Sequence, residues 1–315
     1  MIVDLRSDTF TKPTQAMREF MLQAEVGDDV FGEDVTVNAL EEKIKNILGA
    51  EAAVYCPTAT MCNQIAIKLL TRPMDEIICD RTAHIYNYEV GGMAFHSGCI
   101  PRYVFGKRGV FTAQDVIDNI NPEDVHKTIT RLIVIENTSN RGGGKIFPLQ
   151  TIKEIRTACN ENKLKLHLDG SRLFNALVET RDDKTVYGKI FDTITICLSK
   201  GLGCPAGALL ICQKENELEA RRIRKAFGGG MRQAGILAAA GIYALDNNVE
   251  RLKEDHAHAK QIETTLQHCK YLNEILPVET NIVIFQLKQN VKDYSFIHYL
   301  SENNIKAFAI GENWI

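Results

Sequence analysis

One pair of residues in this chain, a lysine and an aspartate, could do chemistry together. Lys200 closes an apolar run, TITICLSK, and opens a glycine-rich turn, GLGCPAG. A lysine at the carboxyl edge of a buried parallel sheet stands where α/β folds place ligands. Partial desolvation there favours the neutral amine, which can condense with an aldehyde. Asp169 closes a second run, KLHLDG, with room for one helix and one strand before Lys200. Both side chains then project from one sheet edge. A lysine to hold an aldehyde and a carboxylate to keep a ring nitrogen protonated are the pair that pyridoxal phosphate requires. Each also has a plainer reading: Asp-Gly-Ser-Arg resembles a helix N-cap, and a strand-end lysine can be a solvated cap.

Two further features fit the same ligand. AAVYC reads as a strand, Pro57-Thr58-Ala59-Thr60 as a turn, and Met61 onward as a helix. Free N–H groups at such a helix start attract phosphate, and the threonine hydroxyls add bonds. His84, in RTAHIYNYEVGG, follows a strand and can stack on a ring or act as a base near neutral pH. It also reads as the polar tip of a surface loop. His167 lies on the inward side of its strand and reads as structural. The glycine spacing after Lys200 is not the dinucleotide fingerprint, and no phosphate-binding G-x-x-x-x-G-K-[ST] occurs. The nine cysteines are scattered without a C-x-x-C pair, so no metal site is expected. His256 and His258 are poorly placed as joint ligands on a helix.

The elements that must hold these residues alternate. Strand candidates are 52–56, 76–80, 131–137, 165–170, 193–200 and 208–212, several of them near-continuous in Val, Ile and Leu. Runs of that kind are covered on both faces. Helix patterns fall at 37–48, 61–70 and 149–163. The alternation predicts an α/β fold, with a mostly parallel central sheet between helices. Near Met231 a stretch rich in Ala and Gly begins, expected either deep in the core or at a subunit contact. A charged helix (249–269), a β-like run (281–288) and a last helix (294–303) follow. The domain boundary is placed near residue 245: a large domain over 1–245 and a smaller C-terminal α/β domain over 246–315.

Composition agrees with a globular chain. Of 315 residues, 45% are apolar and 24% charged, and 37 basic against 40 acidic residues leave a net charge of −3. That balance offers no electrostatic reason to expect nucleic acid or an anionic membrane as partner. No segment approaches the ~20 apolar residues of a membrane span, and the start, MIVDLRSDTF, lacks a signal-peptide core. With reduced thiols, this predicts a cytoplasmic protein.

The motifs together carry a resemblance. DLRSDTFTKPT, VGDDVFGED, PTATMCNQ, DRTAHIYNYEVGG, IENTSNRGGG, HLDGSRLFNA, CLSKGLGCPAG, FGGGMRQAG and RLKEDHA run from residue 4 to about 256. On these the chain resembles the low-specificity L-threonine aldolases, which are fold-type I pyridoxal-phosphate enzymes. The resemblance implies cleavage of L-threonine or L-allo-threonine to glycine and acetaldehyde by retro-aldol chemistry, in a homotetramer with sites between subunits. It makes Lys200 the Schiff-base lysine and Asp169 the partner of the pyridine nitrogen. His84 stacks on the ring, and Thr58, Ala59 and Thr60 hold the phosphate. Arg172 reaches the cofactor's phenolic oxygen or the substrate carboxylate, and Ser7 contacts that carboxylate. His84 or His126, the latter near the β-hydroxyl, serves as base. Arg232 reaches toward a neighbouring subunit's phosphate.

Some positions depart from the family pattern. Thr58-Ala59-Thr60 stands where Ser-Gly-Thr is usual, Ser171 where alanine is, and Ser139 where histidine is common. Ala206 and Ala208 replace Val and Ser. The family continues past a position like Ile315 with a carboxylate-clamping arginine, so the small domain is expected to be incomplete. Two other readings follow from this: another fold-type I lyase or aminotransferase, or a cofactor-binding subunit without turnover.

Overall fold

The computed structural model describes residues 2–315. Seven strands form the central sheet: β1 (Ala52–Cys56), β2 (Asp75–Asp80), β3 (Ile100–Val104), β4 (Ile129–Glu136), β5 (Lys165–Gly170), β6 (Thr193–Cys197) and β7 (Ala208–Cys212). Their order across the sheet is β1-β7-β6-β5-β4-β2-β3. The pairs among β2 to β6 are parallel, and β7 runs antiparallel to both β1 and β6. The exception has a simple cause. The Leu198–Gly207 connection is shorter than the dozen or so residues that a parallel crossover needs. The turn therefore sends the chain straight back.

The register lines up one working edge. Glu136 pairs with Asp169, Gly170 with Ile196, and Ala208 with both Cys197 and Cys56. The carboxyl ends of β1, β2, β4, β5 and β6 thus open side by side, and the loops after them carry Thr58, His84, Ser171, Arg172 and Lys200. β1, β5 and β7 match the expected bounds, and β6 ends at Cys197, three residues before Lys200. β3 was not expected. Its sequence, IPRYV, carries a proline and an arginine and lies half-exposed at the sheet edge, where proline is tolerated.

The helix Ala59–Leu70 begins two residues earlier than its apolar pattern suggests, because the Thr58 hydroxyl accepts the Met61 N–H at 3.1 Å. The small-residue helix Gly235–Asn247 lies in the chain's own core, against the helix Val35–Leu48. The approach is close: a Cβ on Gly241 would stand 2.8 Å from Leu40 Cδ2. Asp34 joins the two helices, accepting from Val37 N–H at 2.9 Å and Gly235 N–H at 2.8 Å. The nine cysteines are unpaired, eight of them buried. No described helix is long and apolar enough to cross a membrane.

After the helix Leu252–Leu266, a two-stranded antiparallel sheet, Leu272–Ile275 with Phe285–Leu287, forms its own apolar cluster with Ile315. The strand Phe285–Leu287 is shorter than the expected 281–288. The N-terminus joins this unit, since Val3–Asp4 pairs in parallel with Ile305–Lys306. Local sequence patterns carry no trace of that pairing.

β1 is an edge strand, and side chains occupy its outer hydrogen-bonding groups. Glu41 accepts the Tyr55 N–H at 2.7 Å, Arg224 donates to the Tyr55 carbonyl at 2.6 Å, and Arg221 binds Glu41 at 2.5 Å. Because β1 delivers the Thr58 turn, this edge also steadies the candidate site. Glu41→Ala strands the Tyr55 N–H and loosens Arg221, and should cost about 2 kcal/mol in a urea titration. Glu42→Ala, which loses only exposed contacts with Lys45 and Asn46, should leave the midpoint unchanged. Equal behaviour of the two variants would contradict this account of the edge.

Candidate active site

Asp169 stands at the end of β5 with 2% exposure. Its Oδ2 accepts from Asn63 Nδ2 at 3.0 Å and its Oδ1 from the Ser171 N–H at 3.1 Å. Burial alone would raise this carboxyl. The charges of Lys200 and His84, with the Ser171 hydrogen bond, outweigh burial and hold it below the usual carboxylate range. The Lys200 charge thus acts on Asp169 from the loop after the neighbouring strand β6. It lines a small cavity with Gly170, Arg172, Asn175 and Cys197. The backbone behind it is tight: Lys200 accepts from the Gly203 N–H at 2.8 Å.

His84 opens a short helix after β2. Glu136, at the end of β4, accepts its backbone N–H at 2.7 Å, and Glu89 meets its ring Nδ1 at 2.9 Å. Burial pulls the imidazole down, but the Glu89 hydrogen bond and the charges of Asp169, Glu89 and Glu136 outweigh it and raise its pKa. Glu89 is buried and also accepts from Asn63 at 2.8 Å and Gln64 at 2.6 Å. Glu136 is raised by burial and then by Asp169 beside it. At the start of the helix Ala59–Leu70, Thr58 and Thr60 are exposed and Thr58 spends its hydroxyl on the N-cap.

Arg172 is buried and grips Asp8 with two bonds of 2.7 Å, from Nε and Nη2. Nη1 has no hydrogen-bond partner among the described residues. Burial would raise Asp8, but Arg172, Lys200 and the Asn281 amide hold it low. Ser7 is beside this pair, though its hydroxyl accepts from the Thr9 N–H at 3.2 Å and pairs with the Thr9 hydroxyl at 3.0 Å.

The chain brings Lys200, Asp169, His84, Arg172 and Ser7 to one edge, and it does not bring His126 there. His126 precedes β4, and the eight residues of that strand put it about 25 Å from the edge. It is exposed and bonds only Asp124, at 3.0 Å. The expectation of His126 near the substrate is thus not met by the chain that holds Lys200. Arg232 is also half-exposed on the surface, paired with Asp28 at 2.8 Å.

Asp8, Glu89, Glu136 and Asn63 were not singled out in the sequence. All four lie inside the quoted motifs, but their partners are far along the chain or across the sheet. His84, Glu89 and Asp169 bring possible ligand atoms within 4.8 Å of one another, the one such group among the described residues. Amide hydrogens of Asn63 and Gln64 point into these carboxylates, an arrangement of a hydrogen-bonded network.

Comparison with known proteins agrees with this geometry. The beta-eliminating lyase family matches residues 4–290. The chain is 42% identical to the low specificity L-threonine aldolase of Escherichia coli K12, over 91% of this chain and 85% of that protein. It is 40% identical to the low-specificity L-threonine aldolase of Candida albicans, over 98% and 83%. The chain belongs to the low-specificity L-threonine aldolases, within the beta-eliminating lyase family. The fold of this aldolase family member matches a Leishmania major threonine aldolase structure with a TM-score of 0.83 and 20% identity, covering 96% and 88% of the two chains.

The raised His84 can be checked by titration. In the cofactor-free aldolase, histidine NMR should place its pKa above the ordinary 6.5, and Glu89→Gln should lower it. A raised folded value means that this group adds stability below its unfolded pKa and loses it as pH rises through the folded one. Urea midpoints should therefore fall across that window in the wild type and less in His84→Gln. A His84 pKa unmoved by Glu89→Gln would contradict the pairing.

Proposed function

We propose that this chain cleaves L-threonine and L-allo-threonine to glycine and acetaldehyde with pyridoxal 5'-phosphate as cofactor. As a carbon–carbon lyase it needs an electron sink at Cα, and the cofactor supplies that sink when bound. The observation that carries the reading is the buried Asp169 anion within electrostatic reach of Lys200. The donor set supports it. Around the site, Asp8, Glu89, Glu136 and Asp169 face His84, Arg172 and Lys200. A protonated ring nitrogen would add positive charge at Asp169, where the excess of carboxyl groups lies.

The residues divide the work. Lys200 supplies the amine that holds the cofactor. Asp169 would keep the proton on the cofactor's ring nitrogen, because a buried anion stabilises a cation beside it. Thr58, Ala59 and Thr60, at the N-terminus of a helix of 12 residues, receive the phosphate. Arg172 Nη1 and Ser7 orient the substrate carboxylate, and Asp8 holds the guanidinium in place. Glu89 occupies His84 Nδ1, which leaves Nε2 to take the proton of the β-hydroxyl.

A homotetramer in the cytoplasm completes the proposal. Val90, Phe95, Leu22 and Phe31 are large apolar side chains left 98%, 85%, 85% and 75% exposed, which supports subunit contacts. A second subunit is also the route by which His126 and Arg232 would reach a site. The buried free thiols support a reducing compartment. We place the boundary of the small domain near residue 245.

Lys200→Ala should lose acetaldehyde release from threonine and the yellow absorbance of bound cofactor together. Full turnover of threonine by that variant would reject the proposal.

A further inference from the structure

We infer that Asn63 is a positioning residue for the cofactor site: its amide joins Asp169 to the Glu89–His84 pair, and its orientation is fixed by a His167 that carries its ring proton on Nε2. The inference rests on the cofactor reading above and adds Asn63, His167 and Thr193, which have no role there.

Asn63 is buried on the helix that follows the phosphate turn. Its Nδ2 lies 3.0 Å from Asp169 Oδ2 and 2.8 Å from Glu89 Oε1. Carboxylates only accept, so the nitrogen must face them and both of its hydrogens are spent. Oδ1 is thereby turned toward His167 Nε2, 3.1 Å away. An amide oxygen there needs a donor. Burial pushes the His167 pKa down to about 4, so at neutral pH the ring holds one proton. That proton belongs on Nε2. Nδ1 is then an acceptor, and the Thr193 hydroxyl, 2.8 Å away, donates to it. The opposite tautomer would donate from Nδ1 to the Thr193 carbonyl at 3.1 Å. It would set a bare Nε2 lone pair against the Asn63 oxygen.

The hydrogens therefore all run one way, from Thr193 to His167 to Asn63 and on to two carboxylates. The result is mechanical as well as electrostatic. One rigid amide spans the group that meets the ring nitrogen and the group that orients His84. Without it, two buried carboxylates each lose a donor, and neither is held at a fixed distance from the other.

The test begins with the cofactor-free full chain labelled with 15N-histidine. Long-range proton–nitrogen NMR at pH 7 should show His167 as the Nε2–H tautomer. The Nδ1–H tautomer would mean the Asn63 amide is turned the other way, and would overturn the inference. Thr193→Val removes only the hydroxyl donor and should raise the Nδ1–H fraction. Asn63→Leu should weaken pyridoxal phosphate binding about 10- to 100-fold, the loss of one charge-assisted hydrogen bond, and alter the absorbance of the bound cofactor. An Asn63→Leu protein that binds and absorbs like wild type would refute the role. Should that variant not fold, the His167 tautomer in wild type and Thr193→Val decides the matter. A wild-type chain that stays colourless with the cofactor would instead sink the cofactor reading, which this experiment keeps separate.

Discussion

Asp169 is almost wholly removed from water, and a carboxylate in that position survives as an anion only where charges and donors replace its hydration. Lys200, His84, the Asn63 amide and the Ser171 N–H provide them. Each comes from a different loop or helix at the carboxyl edge of the sheet. The fold must therefore hold four strand ends, those of β1, β2, β5 and β6, in register before the anion is stable there. That requirement explains why the strands read as near-continuous apolar runs. Only a sheet covered on both faces keeps the edge rigid and its dielectric low.

The same constraint explains the supporting pairs. Arg172 would be an uncompensated buried cation without Asp8, and Asp8 arrives from the N-terminal segment. That segment is in turn fixed to the C-terminal unit by the Val3–Asp4 pairing with Ile305–Lys306. The turn at Glu279–Asn281 docks there as well: Asn281 donates to Asp8 at 3.1 Å, Glu279 accepts from Arg108 at 2.9 Å, and Thr280 donates to the Gly144 carbonyl at 2.8 Å. The C-terminal segment thus meets the sheet's loops near the site through polar contacts. A shift of the small unit would be felt at Asp8 and Arg172.

Much of this was legible in the sequence because it is written locally. β5 and β6 announce Asp169 and Lys200 by apolar runs that stop at a charge. The Thr58 turn shows itself as strand, breaker and helix within a dozen residues. What stayed hidden depends on pairs distant along the chain. The Asp8–Arg172 grip, the Glu89 hub and the Asn63 amide leave no spacing signal, since an Asp, a Glu or an Asn in a loop or helix looks solvated until its partner is known. The reversed β7 followed from loop length rather than strand composition. His126 shows the converse: a position taken from the family resemblance, with a suitable side chain but placed by its strand on the far rim from Lys200.

The central claim is that the amine of Lys200 and the carboxylate of Asp169 serve one ring. Borohydride reduction of the protein loaded with pyridoxal phosphate, followed by peptide mass mapping, tests it most directly. The account predicts a pyridoxyl group on the peptide containing Lys200 in the wild type, and a sharply lower yield when Asp169 is replaced by Ala. A label on another lysine, or full labelling of Lys200 irrespective of Asp169, would contradict it.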